Sequence, residues 1–140
     1  MNIFFDTSAF YALADTSDTY HESAKAYYYA ALKEQRFFTS SFVLVETWLL
    51  IRNRLGYHVA QRFFETIRRG IVTLVDVSVP DLDRAWAILN EYADQEFSIV
   101  DAVSFTVMER LGISTAFVFD AHFRAYRFGK QREAGIAIVP

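Results

Sequence analysis

The chain contains five short runs of apolar residues whose length and composition predict β-strands. The runs are Ile3–Phe5, Phe37–Thr39, Ile71–Val75, Thr115–Phe119 and Ile136–Val139. Aromatic and β-branched residues dominate them, as is usual in strands. Short, nearly continuous apolar runs of this kind are typical of strands buried on both faces of a parallel sheet.

The segments between these runs carry the spacing and the end signals of helices. After the second strand, Phe42, Val45 and Leu49 share one helical face, and Ser40 and Ser41 precede them as candidate N-caps. The predicted helices are Ser8–Ala14, Thr19–Lys33, Phe42–Arg54, Tyr57–Arg69, Pro80–Tyr92 and Ser98–Leu111.

Strands alternate with helices along the whole chain, and this alternation predicts an α/β fold. Helical connections allow successive strands to pair in parallel in one sheet that is covered on both faces. We therefore expect a three-layer α/β/α sandwich with a central parallel sheet of about five strands. Because no linker or internal repeat divides the 140 residues, a single domain spanning residues 1–140 is expected.

The composition excludes several classes of protein and of site. No cysteine is present, which excludes disulfide bonds, thiolate metal ligands and a cysteine nucleophile, and is compatible with a reducing cytoplasm. No apolar run approaches the ~20 residues of a membrane span. The first residues lack the basic start and the small-residue cleavage site of a signal peptide. We expect a cytoplasmic protein with no membrane partner.

Charge is distributed unevenly along a chain whose formal net charge is -3. Ile51–Gly70 holds five basic residues and one acid, and Ala121–Pro140 holds four basic residues against Glu133. Each stretch has an ordinary explanation as a solvated helix face, but either could also guide a polyanion. The basic residues are Arg52, Arg54, Arg62, Arg68 and Arg69 in the first stretch, and Arg124, Arg127, Lys130 and Arg132 in the second.

Four acidic residues are candidates for a site at the carboxyl ends of the parallel strands. Asp6 and Asp120 each follow an apolar strand, and ligands bind outside the carboxyl ends of such strands. A plain helix N-cap explains either residue equally well. Asp101 falls in the first turn of its helix, where a capping box with Ser98 is the competing explanation. Glu46 lies in an apolar stretch, where burial of its charge is unfavourable. Its carboxylate is therefore expected to bind a cation, to pair with an arginine, or to reach solvent at the rim of the apolar face.

If these four carboxylates converge, they require a counter-ion, because like charges held close together repel one another. Hard oxygen ligands, without cysteine or an obvious histidine pair, favour Mg²⁺ or Mn²⁺. Such ions bind a phosphodiester and activate water to hydrolyse it. The acidic residues therefore indicate a metal-dependent hydrolase of phosphodiester bonds.

The motifs around these acids carry a family resemblance across nearly the whole chain. They are Phe4–Phe10, Val45–Glu46, Phe97–Ala102 and Phe119–Phe123, and their acids are 40, 55 and 19 residues apart. In this order and at these spacings they resemble the PIN-domain family, most closely the VapC-type toxin ribonucleases of toxin–antitoxin systems. The resemblance implies an endoribonuclease whose acidic metal site consists of Asp6, Glu46, Asp101 and Asp120, with Asp6 and Asp101 as its surest ligands.

Three neighbouring side chains are auxiliary candidates. The resemblance implies that the hydroxyl of Ser8 or Thr7 helps to hold a metal ligand or a metal-bound water. His122 could contact a scissile phosphate, although a histidine in a loop is more often only packed or solvated. His21 is expected on the surface of its helix.

Two other functions remain open from the sequence. A receiver-like signalling domain would hold Mg²⁺ in an acidic pocket and use Asp76 as phospho-acceptor, but it needs paired acids after its first strand and a lysine after its fifth. A PIN-like module that binds RNA or a partner without cutting is the other alternative.

Large side chains accumulate between Thr19 and Arg69 and suggest partner chains. A domain of this length buries only ~68–70% of its unfolded surface, so some of these side chains must face outward or a partner. We expect a homodimer that also binds an antitoxin through these helices; the alternative is that all of them are core. They are Tyr20, Tyr27, Tyr28, Tyr29, Phe42, Trp48, Tyr57, Phe63 and Phe64.

Overall fold

The central sheet has five parallel strands in the computed structural model, which describes residues 1–129 and 131–140. Of the basic residues named above, Lys130 lies outside the described residues. The strands of the sheet are β1 (Asn2–Phe5), β2 (Arg36–Ser40), β3 (Val72–Val75), β4 (Thr115–Phe117) and β7 (Ala137–Val139), and a small antiparallel hairpin consists of β5 (Arg127–Phe128) and β6 (Ala134–Gly135). The order in the sheet is β3-β2-β1-β4-β7.

Helices on both sides of the sheet complete the three layers. The chain runs outward from β1 through β2 to β3, then crosses back to β4 and continues to β7. Right-handed crossovers therefore place α1 to α4 on one face and α5 and α6 on the other. Their bounds are α1 (Thr7–Ala14), α2 (His21–Ala31), α3 (Ser41–Leu55), α4 (Tyr57–Arg68), α5 (Val79–Glu91), α6 (Ile99–Leu111) and the short α7 (His122–Ala125). The predicted α/β/α sandwich is confirmed.

The strand order separates this fold from the receiver-like alternative. Receiver domains have the order 2-1-3-4-5, in which the first strand lies between the second and the third. Here β1 pairs with β2 and β4, and β3 lies at the edge beyond β2. The receiver hypothesis is therefore wrong.

β4 and α2 are shorter than predicted, because nearby polar groups accept hydrogen bonds from backbone N–H groups at their ends. β4 ends at Phe117, and the N–H of Phe119 donates to the Ser8 hydroxyl instead of joining a ladder. α2 begins at His21 rather than Thr19, because Asp18 accepts hydrogen bonds from the N–H groups of Tyr20 and His21 in a preceding turn. The hairpin β5–β6 and helix α7 were not predicted.

Aromatic side chains fill both helix–sheet interfaces. On one face, the ring of Phe5 stacks on Phe10 of α1 at 3.8 Å between ring centroids and meets Phe117 at 4.7 Å. On the other, Phe105 of α6 stacks on Tyr126 at 4.5 Å. This packing fixes the end of β1 against α1 and joins α6 to the segment between α7 and β5.

The aromatic residues between Thr19 and Arg69 divide into two groups. Tyr20, Tyr29, Tyr57 and Phe64 are exposed, and the other five are partly buried, so the alternative that all nine are core is wrong. The prediction for His21 is also wrong: it is buried, and its Nδ1 lies 2.7 Å from the carbonyl oxygen of Ala12. None of the helices in the described residues is both long and apolar enough to cross a membrane.

Candidate active site

Asp6 lies at the end of β1 and is the N-cap of α1. Its Oδ2 accepts hydrogen bonds from the backbone N–H of Ser8 (3.0 Å) and from the Ser8 hydroxyl (2.8 Å). Burial, reinforced by the charges of Asp101 and Asp120, raises the pKa of Asp6 to about 7, although the hydrogen bonds from Ser8 oppose the increase. The N-cap explanation is correct, but it leaves a buried carboxylate whose charge the surrounding residues compensate poorly.

Asp101 occupies the third position of α6 and forms both bonds of a capping box with Ser98. Its Oδ2 accepts from the backbone N–H of Ser98 at 3.1 Å, and its own N–H donates to the Ser98 hydroxyl at 3.0 Å. The same Oδ2 lies 2.8 Å from Nδ1 of His122. The predicted capping box is confirmed, and it holds a buried carboxylate toward the end of β4.

Glu46 and Thr7 lie together beside these acids. Burial raises the pKa of Glu46, the Thr7 hydroxyl opposes this by hydrogen bonding, and the charges of Asp101 and Asp120 reinforce it. Thr7 also accepts a 3.1 Å hydrogen bond from the hydroxyl of Thr47. Within the described part of the chain no arginine or lysine forms an ion pair with Glu46. The arginine partner considered from the sequence is not found there.

Asp120 lies just before α7, and His122 is the first residue of that helix. Asp120 Oδ1 accepts from the backbone N–H of His122 at 2.8 Å and lies 3.6 Å from its Nδ1. The hydrogen bond to Asp101 raises the pKa of His122, although burial opposes the increase. The His122 ring packs edge-on against Phe97, with centroids 5.7 Å apart. His122 therefore contacts two of the four acids.

The structure brings the predicted site residues to the carboxyl ends of the strands, where three of them form a compact group and the others lie farther from it. Asp101, Asp120 and His122 offer ligand atoms that all lie within 4.8 Å of one another. Asp6 and Glu46 lie outside this closest group, yet the charges of Asp101 and Asp120 act on both. The sequence indicated only an auxiliary role for His122, whereas in the structure its ring contacts both Asp101 and Asp120. Its position two residues after Asp120, where an Asp side chain can accept its N–H, was the available signal.

The three aspartates share an arrangement that suits a divalent cation. In each, one carboxylate oxygen accepts the hydrogen bonds that orient the side chain, from Ser8, Ser98 or His122. Among the described residues, the other oxygen of each aspartate makes no hydrogen bond. Hard oxygen atoms held this way are the ligands that Mg²⁺ and Mn²⁺ prefer, and the orienting bonds are those that support metal ligands. The residues therefore fit a metal site.

Comparison with known proteins shows the family of the chain. The family model of the PIN domain matches residues 3–129. The chain belongs to the PIN-domain family. VapC20 of Mycobacterium tuberculosis, a 23S rRNA-specific endonuclease, is 39% identical to this PIN domain over 131 residues, which are 93% of this chain and 98% of that protein. The resemblance inferred from the motifs is confirmed.

Solved structures share the PIN fold. The crystal structure of Mycobacterium tuberculosis VapC20, described as a sarcin–ricin loop cleaving toxin, has a TM-score of 0.82 and 36% identity, covering 88% of this PIN domain and 93% of that chain. The Rickettsia felis VapBC2 structure has a TM-score of 0.68 and 13% identity, covering 99% and 97%. At the second identity the likeness shows the fold alone.

Proposed function

We propose that this PIN domain, acting as one unit over residues 1–140, is an endoribonuclease toxin. It hydrolyses RNA phosphodiester bonds with Mg²⁺ or Mn²⁺ held by Asp6, Glu46, Asp101 and Asp120. One observation carries the proposal. At the carboxyl ends of the parallel strands, each of the three aspartates has one carboxylate oxygen that accepts orienting hydrogen bonds and a second oxygen that accepts none among the described residues. No arginine or lysine of the described residues forms an ion pair with these four acids, and His122 pairs only with Asp101 and Asp120, so a bound cation is the natural compensation for the remaining charge.

Each residue of the site has a distinct part in this proposal. A bound divalent cation would supply an acidified water and neutralise phosphate charge. Asp101 and Asp120 would orient the attacking water, and one of them would accept its proton. Ser8 and Ser98 hold Asp6 and Asp101 in the required rotamers through their hydrogen bonds. The Nδ1 of His122 lies 2.8 Å from Asp101 Oδ2, so Nε2 would be the ring nitrogen left to contact a phosphate of the RNA.

The test is RNA cleavage by the purified protein in Mg²⁺ or Mn²⁺, with loss of cleavage in excess EDTA and recovery when the metal is restored. Cleavage that persists in excess chelator would exclude the metal mechanism. A protein that binds RNA with metal present but never cuts it would instead favour the non-cleaving PIN module.

Ribosomal RNA is the proposed substrate, on the strength of the 39% identity with VapC20 over 93% of the chain. Such a substrate places the enzyme in the cytoplasm. Primer extension across 23S rRNA from treated ribosomes should show one new 5′ end in the sarcin–ricin loop. Cleavage spread over many RNAs, without that site, would contradict this specificity.

An antitoxin is the proposed protein partner, and a groove among the helices supports it. A cavity of about 510 Å³ lies between α1, α2 and α4, with Phe10, Tyr28 and Phe63 among its walls and Lys25 and Arg62 beside them. Such a groove suits an apolar segment with acidic residues. Phe63→Asp should weaken inhibition of cleavage by the protein encoded in the adjacent reading frame. Unchanged inhibition would place the antitoxin elsewhere.

A further inference from the structure

A second cavity, of about 500 Å³, opens at the junction of α5, α6 and the hairpin β5–β6. Three arginines and two glutamates supply the charged part of its wall, so it carries a surplus of one positive charge. They are Arg84, Arg127, Arg132, Glu91 and Glu109. The acidic site, in contrast, repels the phosphates of RNA unless a cation is bound, so part of the binding energy for RNA must come from elsewhere on the protein.

The two glutamates are already engaged by neighbouring donors. Glu91 Oε1 accepts from Arg84 at 3.1 Å. Glu109 Oε2 accepts from the Tyr126 hydroxyl at 2.9 Å, and its Oε1 accepts from the backbone N–H of Gly129 at 3.2 Å. Since these bonds satisfy the carboxylates, the donors left to face the cavity are mainly guanidinium N–H groups.

Arg127 and Arg132 have no acidic partner among residues 1–129 and 131–140. Arg132 lies over the Tyr92 ring, 4.2 Å from its centroid, and donates to the backbone carbonyl of Glu91 at 3.1 Å. The Tyr92 hydroxyl bonds both the N–H and the C=O of Arg127, each at 3.3 Å. Gly135, which pairs with Arg127 in the hairpin, leaves room for its guanidinium, because a Cβ there would overlap it. The Arg132 guanidinium is therefore held by an aromatic ring and a backbone carbonyl, whereas Tyr92 holds the backbone of Arg127, whose side chain lies against Gly135.

A row of contacting aromatic rings lies between this cavity and the acidic site. Phe97 packs against His122 with centroids 5.7 Å apart and against Tyr92 at 5.4 Å, and Tyr92 supports Arg132. The His122 ring and the Arg132 guanidinium are consequently no more than about 15 Å apart. A separation of this size corresponds to only a few nucleotides of an extended RNA strand.

We propose that Arg127 and Arg132 bind a backbone phosphate of the RNA, a few nucleotides from the bond that is cut. The planar fork of a guanidinium matches the oxygens of a phosphodiester, and such a contact positions the strand without reading its sequence. This inference rests on the proposed ribonuclease function, whose site contains neither residue.

The experiment measures binding of a fluorescein-labelled RNA stem-loop to the non-cleaving Asp6→Asn protein by anisotropy, over a series of salt concentrations. Arg127→Gln and Arg132→Gln should each raise Kd about three- to tenfold near physiological salt and reduce the slope of log Kd against log salt by about 1. Arg127→Lys keeps the charge and should retain most of the affinity. Arg36 is the first residue of β2 and lies at the amino ends of the strands, away from the acidic site. Arg36→Gln removes the same charge and should change neither Kd nor the salt slope.

The outcomes separate this inference from the proposed function. If the wild-type protein cleaves RNA while both glutamine variants keep the wild-type Kd and salt slope, the arginine site is refuted and the nuclease is not. If the glutamine variants lose affinity to the same extent as Arg36→Gln, only total charge matters and the site is again refuted. A wild-type protein that neither binds nor cuts RNA would overturn the proposed function, and this inference with it.

Discussion

The hydroxyl of Ser8 accepts a 2.9 Å hydrogen bond from the backbone N–H of Phe119, 111 residues further along the chain. The same hydroxyl donates to Oδ2 of Asp6 at 2.8 Å. One side chain therefore connects the start of α1 to the loop that carries Asp120. This bond takes the Phe119 N–H out of the sheet, two residues after β4 ends, and ties together the segments that carry Asp6 and Asp120.

Removing this hydroxyl should disturb both stability and catalysis. Ser8→Ala leaves the Phe119 N–H without its acceptor, which should lower the free energy of unfolding by about 1–2 kcal/mol. The loop that carries Asp120 should also move, so RNA cleavage should fall at least about tenfold. Urea unfolding and single-turnover cleavage measure the two effects. Ser8→Thr, which keeps the hydroxyl, should restore both, and an equally damaged Ser8→Thr would argue against the hydrogen bond as the cause.

Asp101 is both a proposed metal ligand and a capping residue of α6. Variants of Asp101 and of its capping partner Ser98 separate these two roles. Asp101→Asn keeps an acceptor for the Ser98 N–H but loses the charge, so cleavage should fall at least ~100-fold with no loss of melting temperature. Ser98→Ala removes the cap and should cost about 1 kcal/mol of stability, with a smaller loss of activity per folded molecule. If Asp101→Asn melts early and stays active, the residue is only a cap.

Asp6 should destabilise the metal-free protein, because its charge is buried near two other carboxylates. Asp6→Asn should therefore abolish cleavage and raise the melting temperature measured in EDTA. Adding Mg²⁺ should raise the melting temperature of the wild-type protein more than that of the variant. A variant that melts below the wild-type protein in EDTA would show that the N-cap contribution of Asp6 outweighs the repulsion.

Asp81 provides a pH-dependent contribution to stability far from the catalytic edge. Burial disfavours its charge, but the Arg110 guanidinium, at 2.9 Å to both carboxylate oxygens, and the capping bond from Ser78 hold its pKa below the usual value. A lowered folded pKa gives stability that is present above the unfolded pKa near 4 and is lost as the pH falls through the folded value.

Asp81→Asn should therefore lower the free energy of unfolding by about 2 kcal/mol at pH 5 and at pH 7, and the difference should shrink below pH 4. Urea unfolding at pH 3, pH 5 and pH 7 measures this difference. Asp83→Asn, an exposed neighbour on the same helix, is the control and should be neutral. A difference that stays constant down to pH 3 would mean that the charge of Asp81 contributes nothing.

The exposed apolar face of the α3–α4 pair should be the homodimer interface. Val45 and Leu49 are 57% and 56% exposed one turn apart on α3, and Tyr57 and Phe64 are exposed on α4. Light scattering at low micromolar concentration should give twice the chain mass of 16.2 kDa. Leu49→Asp should produce the monomer, whereas Trp86→Asp, at an exposed aromatic of α5, should not. A wild-type monomer would refute the dimer.

Predictions from the sequence succeeded where the deciding partners are close along the chain. The capping box of Ser98 and Asp101 involves residues three positions apart, so its residue types alone indicate it. The end of β4 was misplaced because its deciding partner, Ser8, is remote in sequence. His21 was misplaced for a similar reason, since its acceptor, the Ala12 carbonyl, belongs to another helix.

The sequence by itself determined the alternation of strands and helices, the parallel three-layer fold, and the acids that follow its strands. These properties depend on periodicity and on helix ends, which are set within about four residues. Only the tertiary structure decided that His122 reaches Asp101, 21 positions away, and that Arg127 and Arg132 line one cavity. Such contacts depend on strand register and on where several elements end at once. A shift of one residue in any of these elements would move the side chains by more than the length of a hydrogen bond.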